Sequence, residues 1–236
     1  MYAGRVTNLI QVSDVQWLDF AGQSQMLQLV KRWHYCGLFD TASMPPELSE
    51  CRPHITLGDT VLDLGANLGI YSKFLSQLVG PGGQVHAVEL MPETFCYLRH
   101  NVSALANVRC YHAGISNRTG IGCAIQPSRK YGHIYRAHLA EKGQPAPVYR
   151  LDDLFPELSP TFIKCDVEGA ELQVIEGAEN LIGRCFPIWL METYTPETFE
   201  TMKNLGYCAQ KLSCDWLFSH PLRQLVRDAV PTQRSD

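Results

Sequence analysis

The stretch VLDLGANLG, from Val61 to Gly69, decides how the rest of this sequence is interpreted. An apolar run of strand length passes through Asp63 into a turn that carries Gly65 and Gly69. The residues that follow, 70–79, have the pattern of a helix and end at the breaker GPGG. A strand, a glycine turn and a helix in this order predict a loop whose backbone faces a ligand at the helix start.

Strand and helix patterns alternate through most of the chain. Strands are predicted at 60–64, 84–90, 108–116, 161–169 and 186–193, and helices at 70–79, 92–105, 170–182 and 196–206. Residues 207–212 and 215–220 are predicted to form a closing hairpin. The alternation predicts an α/β fold with a parallel, doubly wound sheet.

Two regions depart from this alternation. Residues 119–148, rich in Gly, Pro, Arg, His and Tyr, are either an irregular insertion or an antiparallel hairpin. Near the amino terminus, Leu18 to Trp33 has helical spacing, and SMPPELSE at 43–50 is a predicted loop. The predicted organisation is a helical segment at 1–50 that covers the pocket, a main domain at 51–225 and a polar tail at 226–236.

The bulk composition excludes several classes of protein. The 236 residues fit one large domain, and 45% of them are hydrophobic, which is enough for a substantial core. A net charge of −4 and a pI of about 6.1 give no basic excess, so we expect neither nucleic acid nor a membrane as a partner. Nine cysteines without a CxxC pair indicate free thiols in a reducing, cytoplasmic compartment. No signal peptide is recognised, and no stretch approaches the roughly 20 apolar residues of a membrane-spanning helix.

Two ligands compete for the glycine loop, a dinucleotide and S-adenosylmethionine. The dinucleotide fingerprint GxGxxG, started at Gly65, requires glycine at the positions of Asn67 and Ile70. S-adenosylmethionine has no pyrophosphate and needs room for an ammonium and a carboxylate. Asp63 can accept from that ammonium, with helix capping as its structural alternative, and the helix N–H groups suit the carboxylate. Glu89, at the end of the second strand, suits the ribose of either ligand.

Five blocks of sequence, in this order, resemble the FkbM-type methyltransferase family. They are VLDLGANLGIYS, VHAVELMPETFCYLRHNV, YRLDDL, FIKCDVEGAELQVIEGA and PIWLMET, and the match covers roughly residues 50–192. The resemblance implies a class I, Rossmann-like fold with a central, mostly parallel seven-stranded sheet flanked by helices. It also implies S-adenosylmethionine as the methyl donor and, usually, O-methylation of a hydroxyl on a sugar, a polyketide or a similar small molecule.

The same resemblance assigns the parts of a donor site. It implies that the loop of the first block lines the methionine end and that Glu89 binds the ribose hydroxyls. The segment from His112 to Ile115 is expected near the adenine. The full predicted donor-binding set is Asp63, Gly65, Ala66, Asn67, Gly69, Glu89, Leu90, His112, Ala113, Ile115 and Asp166.

The acidic segment KCDVEGAE, residues 164–171, carries the main candidates for the chemistry. Methyl transfer to a hydroxyl is an in-line displacement, and an alcohol is a poor nucleophile that needs a base or a metal. Three interpretations are open for Asp166 and Glu168. In the first they orient the acceptor and act as the base, and in the second they hold a divalent metal together with Glu192. In the third interpretation they are structural, and Glu168 caps a helix. The predicted catalytic residues are Asp166, Glu168, Glu192 and His133, and no metal ligands are assigned.

Two further features have both a structural and a functional interpretation. Lys164 interrupts a buried strand, and we expect it to form an ion pair with Asp166 rather than to be catalytic. The basic, aromatic segment 129–138 is either a solvated loop or a lid over the acceptor, and the lid would make His133 a base.

Together these features predict an S-adenosylmethionine-dependent O-methyltransferase that acts on a small hydroxylated acceptor, sugar-like or polyketide-like. One alternative is a non-catalytic S-adenosylmethionine-binding protein on the same fold. The other is a nicotinamide-dependent oxidoreductase, which Asn67 and Ile70 disfavour. Self-association into a homo-oligomer stays open.

Overall fold

The computed structural model describes residues 40, 42–125, 138–223 and 225. The helix predicted at Leu18 to Trp33, most of the predicted lid and the polar tail lie outside these residues, and the predicted domain boundaries stay predictions. In chain order the elements are α1 (Pro46–Cys51), a 3-10 turn (Arg52–His54), β1 (Thr60–Leu64), α2 (Ile70–Val79), β2 (Gln84–Glu89), α3 (Pro92–Asn101), β3 (Val108–His112), β4 (Gly114–Ile115), β5 (Gly120–Ile125), β6 (His138–Ala140), β7 (Gln144–Tyr149), α4 (Leu151–Leu154), β8 (Phe162–Cys165), α5 (Glu171–Glu176), α6 (Glu179–Cys185), β9 (Ile188–Met191), α7 (Pro196–Asn204), β10 (Cys208–Lys211) and β11 (Trp216–Ser219). Within the described part of the chain, none of the helices has the length and apolar character needed to cross a membrane.

Seven strands form the main sheet, in the order β10-β11-β9-β8-β1-β2-β3. Neighbours pair in parallel, except that β11 lies antiparallel between β9 and β10. The predicted mostly parallel α/β sheet and its closing hairpin are confirmed. The strand order runs outward from β1 to β3 on one side and from β8 to β9 on the other. It therefore reverses between β1 and β8, which is where open α/β sheets form a ligand crevice.

The strands of the main sheet send their side chains alternately into two apolar layers. On one side, Leu62 packs with Ile163 and Trp189 in one buried cluster. On the other side, Val61 and Phe162 belong to a second cluster that also contains residues of α2. Because both faces are covered, these strands are continuous apolar runs in the sequence, as is typical of buried parallel sheets.

A second, four-stranded sheet has the order β4-β7-β5-β6. In it β5 pairs antiparallel with both β6 and β7, so the antiparallel interpretation is confirmed for the described part of residues 119–148. The single strand predicted at 108–116 is wrong. The strand is interrupted at Ala113. As a result, β3 belongs to the main sheet, whereas β4 pairs in parallel with β7 in the small sheet.

Two local predictions are also wrong. The SMPPELSE segment contains α1, because Pro46 occupies the first helical position and both Leu48 and Cys51 are buried. The single helix predicted at 170–182 consists of α5 and α6, which are separated around Gly177.

A substitution at Gly177, between α5 and α6, tests how closely the chain packs there. A Cβ on Gly177 would lie 2.2 Å from the carbonyl oxygen of Ser116, whereas a Cβ on Gly183, within α6, would meet no atom within 4 Å. We expect Gly177→Ala to lower the free energy of unfolding by about 2 kcal/mol or more. The matched variant Gly183→Ala should leave it unchanged or raise it by up to about 1 kcal/mol. Urea denaturation measures both variants, and equal effects would contradict the described contact.

Candidate functional site

A cleft lies at the carboxyl ends of β1, β2 and β8, where the strand order reverses. It is concave and partly open to solvent, as ligand sites usually are. Nine predicted site residues line it: Gly65, Asn67, Glu89, Leu90, Ala113, Ile115, Asp166, Glu168 and Glu192. Residues that are far apart in the sequence therefore meet in one place, as the parallel topology requires.

Gly65 lines the cleft at a position where only glycine fits. Its φ is +78°, and a Cβ on it would lie 1.8 Å from the carbonyl oxygen of Asp166. The N–H groups of Gly65 and Ala66 both donate to the carbonyl oxygen of Val88, at 3.0 and 2.9 Å. The turn after β1 is thus held against β2 on one side and against the backbone after β8 on the other.

The Glu89 carboxylate is fixed in the cleft by two backbone donors. Its Oε2 accepts from the N–H of Asn67 at 2.9 Å, and its Oε1 accepts from the N–H of Met91 at 2.8 Å. Burial raises the pKa of the Glu89 carboxyl from 4.5 to about 7, although both hydrogen bonds act in the opposite direction. Beside it, Oδ1 of Asn67 is buried and has no hydrogen-bond partner among the described residues, which leaves an acceptor for a ligand.

Asp63, predicted to bind the ammonium of the donor, is not among the residues that line the cleft. Its Oδ2 accepts from Oγ of Ser72 at 2.5 Å, and the Ser72 N–H donates to the same carboxylate. The residue is 2% exposed, and burial raises the pKa of its carboxyl to about 6. These bonds tie β1 to the first turn of α2. This is the arrangement that the helix-capping interpretation of Asp63 describes. A contact between Asp63 and a ligand stays a prediction.

Three more predicted donor residues also lie outside the lining. Ala66 is buried, and Gly69, with a φ of +88°, immediately precedes α2. The ring of His112 stacks on Phe95 at a centroid distance of 5.1 Å, and its Nε2 lies 3.1 Å from the carbonyl oxygen of Leu90. His112 therefore contacts the backbone of Leu90, which lines the cleft, but does not line the cleft itself. His133 lies outside the described residues.

Lys164 forms the predicted ion pair with Asp166. Its Nζ is 3.2 Å from Oδ2 of Asp166, 3.8 Å from Oδ2 of Asp215 and 4.7 Å from the ring centroid of Tyr71. Burial lowers the pKa of Lys164, but the two carboxylates outweigh burial and raise the pKa above its ordinary value. The sequence did not reveal the second partner, because Asp215 reaches Lys164 only through the pairing of β11 with β9.

The other two acidic candidates differ in their surroundings. Glu168 is exposed and has a φ of +56°, and the bond at the start of the helix is made instead by Glu171, whose Oε1 accepts from the Gly169 N–H at 3.0 Å. Glu192 is half-buried, and its N–H donates to the carbonyl oxygen of Cys165 at 3.2 Å, next to Asp166. Burial and the neighbouring negative charge of Asp166 raise the pKa of Glu192.

The metal alternative gains no support from this arrangement. Among residues 42–125 and 138–223, no group of three or more His, Cys, Asp and Glu side chains is positioned to hold a metal ion.

One wall of the cleft was missed by the sequence analysis. Leu139 on β6 and Gly114 on β4 bring the small sheet into the lining, with Val88, Val167 and Ala170 completing it. A Cβ on Gly114 would lie 2.9 Å from Cδ1 of Leu90, so the absence of a side chain lets this wall approach. The only signal in the sequence was the loss of strand–helix alternation after residue 116, which does not reveal which strands pair.

The raised pKa of Glu89 predicts a pH dependence of stability. The carboxyl holds its proton to higher pH in the folded chain than in the unfolded chain, so the folded state binds more protons between pH 4.5 and about 7. The free energy of unfolding should therefore fall as pH rises through this window, by at most about 3 kcal/mol from this group. Chemical denaturation at several pH values should show a smaller fall in Glu89→Gln. The exposed control Glu200→Gln should keep the wild-type slope, and an unchanged slope in Glu89→Gln would contradict the assignment.

Comparison with known proteins places the chain in a family. The family model described as the methyltransferase FkbM domain matches residues 63–220. A crystal structure of methyltransferase FkbM from Methylobacillus flagellatus KT has a similar fold, with a TM-score of 0.52 at 14% identity over 82% of this chain and 60% of that chain.

A curated relative is more similar in sequence over a shorter stretch. The protein-L-isoaspartate O-methyltransferase of Aeropyrum pernix is 34% identical over 91 residues, which is 39% of this chain and 34% of the relative. The chain thus spans less than two thirds of the length of either relative. The mostly parallel seven-stranded sheet with flanking helices is the fold that the resemblance implied, and it is similar to that of the FkbM methyltransferase structure. Because the family match covers more than half of the chain and runs from β1 to the end of β11, the chain belongs to the methyltransferase FkbM domain family.

Proposed function

We propose that this chain is an S-adenosylmethionine-dependent methyltransferase and that the cleft holds the methyl donor. The observation that carries the proposal is the anchored Glu89 carboxylate, which lies beside the bare backbone of Gly65 at the reversal of strand order. A ribose needs a fixed acceptor for its hydroxyls, and a ligand at this crevice needs close approach to backbone. Family membership supports the same donor.

The lining residues fit this donor part by part. Glu89 would take the ribose hydroxyls, and the unpartnered Oδ1 of Asn67 would accept from the amino-acid end. The apolar surfaces of Ala113, Ile115 and Leu139 would cover the adenine. When bound, S-adenosylmethionine supplies an electrophilic methyl group on a positively charged sulfur.

The charge of the lining favours this donor over a dinucleotide. The described lining residues include Glu89, Asp166, Glu168 and Glu192 and no Lys, Arg or His. Four acidic groups attract a sulfonium and an ammonium, whereas they repel a pyrophosphate. The nicotinamide alternative is disfavoured by this charge as well as by the departure from the dinucleotide fingerprint.

We further propose that the acceptor is a hydroxyl on a small natural product or saccharide. In-line transfer requires the acceptor oxygen to lie behind the methyl group, with a group nearby that takes the proton. Asp166, Glu168 and Glu192 share the cleft with the donor residues and are the candidates for orienting that hydroxyl and accepting its proton. His133 remains a candidate outside the described residues.

Calorimetric titration tests the donor. S-adenosylmethionine and S-adenosylhomocysteine should bind, and NAD should not. Binding of NAD alone would contradict the proposal and favour the oxidoreductase. Incubation of the chain with methyl-labelled donor and a panel of hydroxylated sugars and polyketides then separates the enzyme from a non-catalytic binding protein, which would bind the donor without transferring label.

Two glycine variants, compared in the same titration, test whether the donor binds in the cleft. Gly65→Ala should weaken binding of S-adenosylmethionine at least about tenfold, because its methyl group would displace the backbone at Asp166. The control Gly82→Ala, where a Cβ would meet no atom within 4 Å, should bind like the wild type. Circular dichroism checks that both variants are folded, and equal affinities in folded variants would remove Gly65 from the donor site.

A further inference from the structure

The cleft contains several carboxyl groups, and their surroundings differ enough to assign one of them a role. Glu192 follows β9, and its N–H donates to the carbonyl oxygen of Cys165 at 3.2 Å, which holds it level with the end of β8. There it lines the cleft, half-buried, and Asp166 lines the same cleft. The two residues follow neighbouring parallel strands, so their carboxyl groups meet at one edge of the sheet.

Asp166 is held in an ion pair. It is the nearer counter-ion of Lys164, at 3.2 Å, and the lysine is only 1% exposed. The other carboxylate neighbour of this ammonium, Asp215, is more distant, at 3.8 Å. Leaving a buried charge without its partner is costly, so Asp166 serves the buried lysine, whereas Glu192 has no such task.

The remaining carboxyl groups of the lining are less suited to take a proton from an acceptor. Both oxygens of Glu89 accept backbone N–H groups, and Glu89 lies where the ribose is proposed. Glu168 is exposed, whereas Glu192 is half-buried. Glu192, by contrast, makes no salt bridge with any Lys, Arg or His of the described residues, and Tyr194 OH lies 3.5 Å from its Oε1.

We propose that Glu192 is the general base of the methyl transfer and that Asp166 is the fixed anion beside it. This assignment rests on the proposed function. In the step, a lone pair of the acceptor oxygen forms the new C–O bond, and the S–C bond breaks with its electron pair going to sulfur. The hydroxyl proton moves to a Glu192 carboxylate oxygen, so the products are a methyl ether, S-adenosylhomocysteine and a protonated Glu192. The raised pKa of Glu192 agrees with this role, because a base is most effective when its pKa is near the working pH.

A comparison of two ligands isolates Glu192 from the other titrating groups. S-adenosylmethionine and S-adenosylhomocysteine share the ribose and the amino-acid end and differ in the methyl group and the positive charge on sulfur. Among the described residues, the charged and titratable groups near Glu192 are Lys164, Asp166, Asp215 and Tyr194, and Glu89 and Glu168 line the same cleft. Asp63 lies on β1, which pairs with β8. In the ratio of the two affinities, the contributions of Asp63 and Glu89 cancel, because both ligands carry the ribose and the ammonium that these groups would contact.

The experiment measures both affinities by calorimetry from about pH 5 to about pH 8. In the wild type, the preference for S-adenosylmethionine should rise on the order of tenfold with pH, because an ionised Glu192 attracts the sulfonium. Glu192→Gln should abolish the rise. Asp166→Asn should lower the preference at every pH and move the rise to lower pH, because the like charge beside Glu192 is gone. The exposed control Glu200→Gln should behave like the wild type.

Each other outcome overturns the assignment. If the affinity ratio still rises with pH in Glu192→Gln, or does not change with pH in the wild type, Glu192 does not lie near the reacting sulfur. A rise that disappears only in Asp166→Asn makes Asp166 the base. Failure of both ligands to bind the wild type overturns the proposed function itself, and this result is distinct from a flat ratio with normal binding.

Discussion

The contact between the backbones at the ends of β1 and β8 is the constraint on which the cleft depends. Gly65 turns away from β1 with its Cα against the carbonyl of Asp166, in a space that no side chain can enter. The same turn donates two N–H groups to Val88 on β2, so three neighbouring strands are fixed at one level. Connections that leave β1 and β8 in opposite directions then open the crevice above this contact. Glu89 and Asp166 take their places from it.

Charge organises the same region at a second level. The described lining carries four acidic residues, and Lys164, which pairs with one of them, is buried below the cleft rather than part of its lining. Lys164 forms ion pairs with Asp166 and Asp215, and its ammonium lies over the ring of Tyr71 on α2, so it joins β8, the turn before β11 and the helix that follows the glycine loop. The cleft above it keeps a negative potential, which suits a ligand with two positive groups.

The parts of the site that local pattern determines were predictable from the sequence. The apolar run and the glycine breakers defined β1 and α2 at the observed residues, and parallel topology brought Glu89, Asp166 and Glu192 to one edge. Non-local pairing was not predictable. The small sheet is built from Gly- and Pro-rich segments without clear alternation, and Asp215 meets Lys164 across 51 positions of sequence only because β11 inserts beside β9. Nor does periodicity tell which side of β1 meets α2, and Asp63 turned out to bond there.

A crystal structure of the chain with S-adenosylhomocysteine would show where the donor binds. The ribose hydroxyls should lie within hydrogen-bond distance of the Glu89 carboxylate, with the amino-acid end over Gly65 and Asn67. The sulfur should face Asp166 and Glu192. A ribose placed away from Glu89, or a ligand bound outside the crevice between β1 and β8, would show that this crevice is not the donor site.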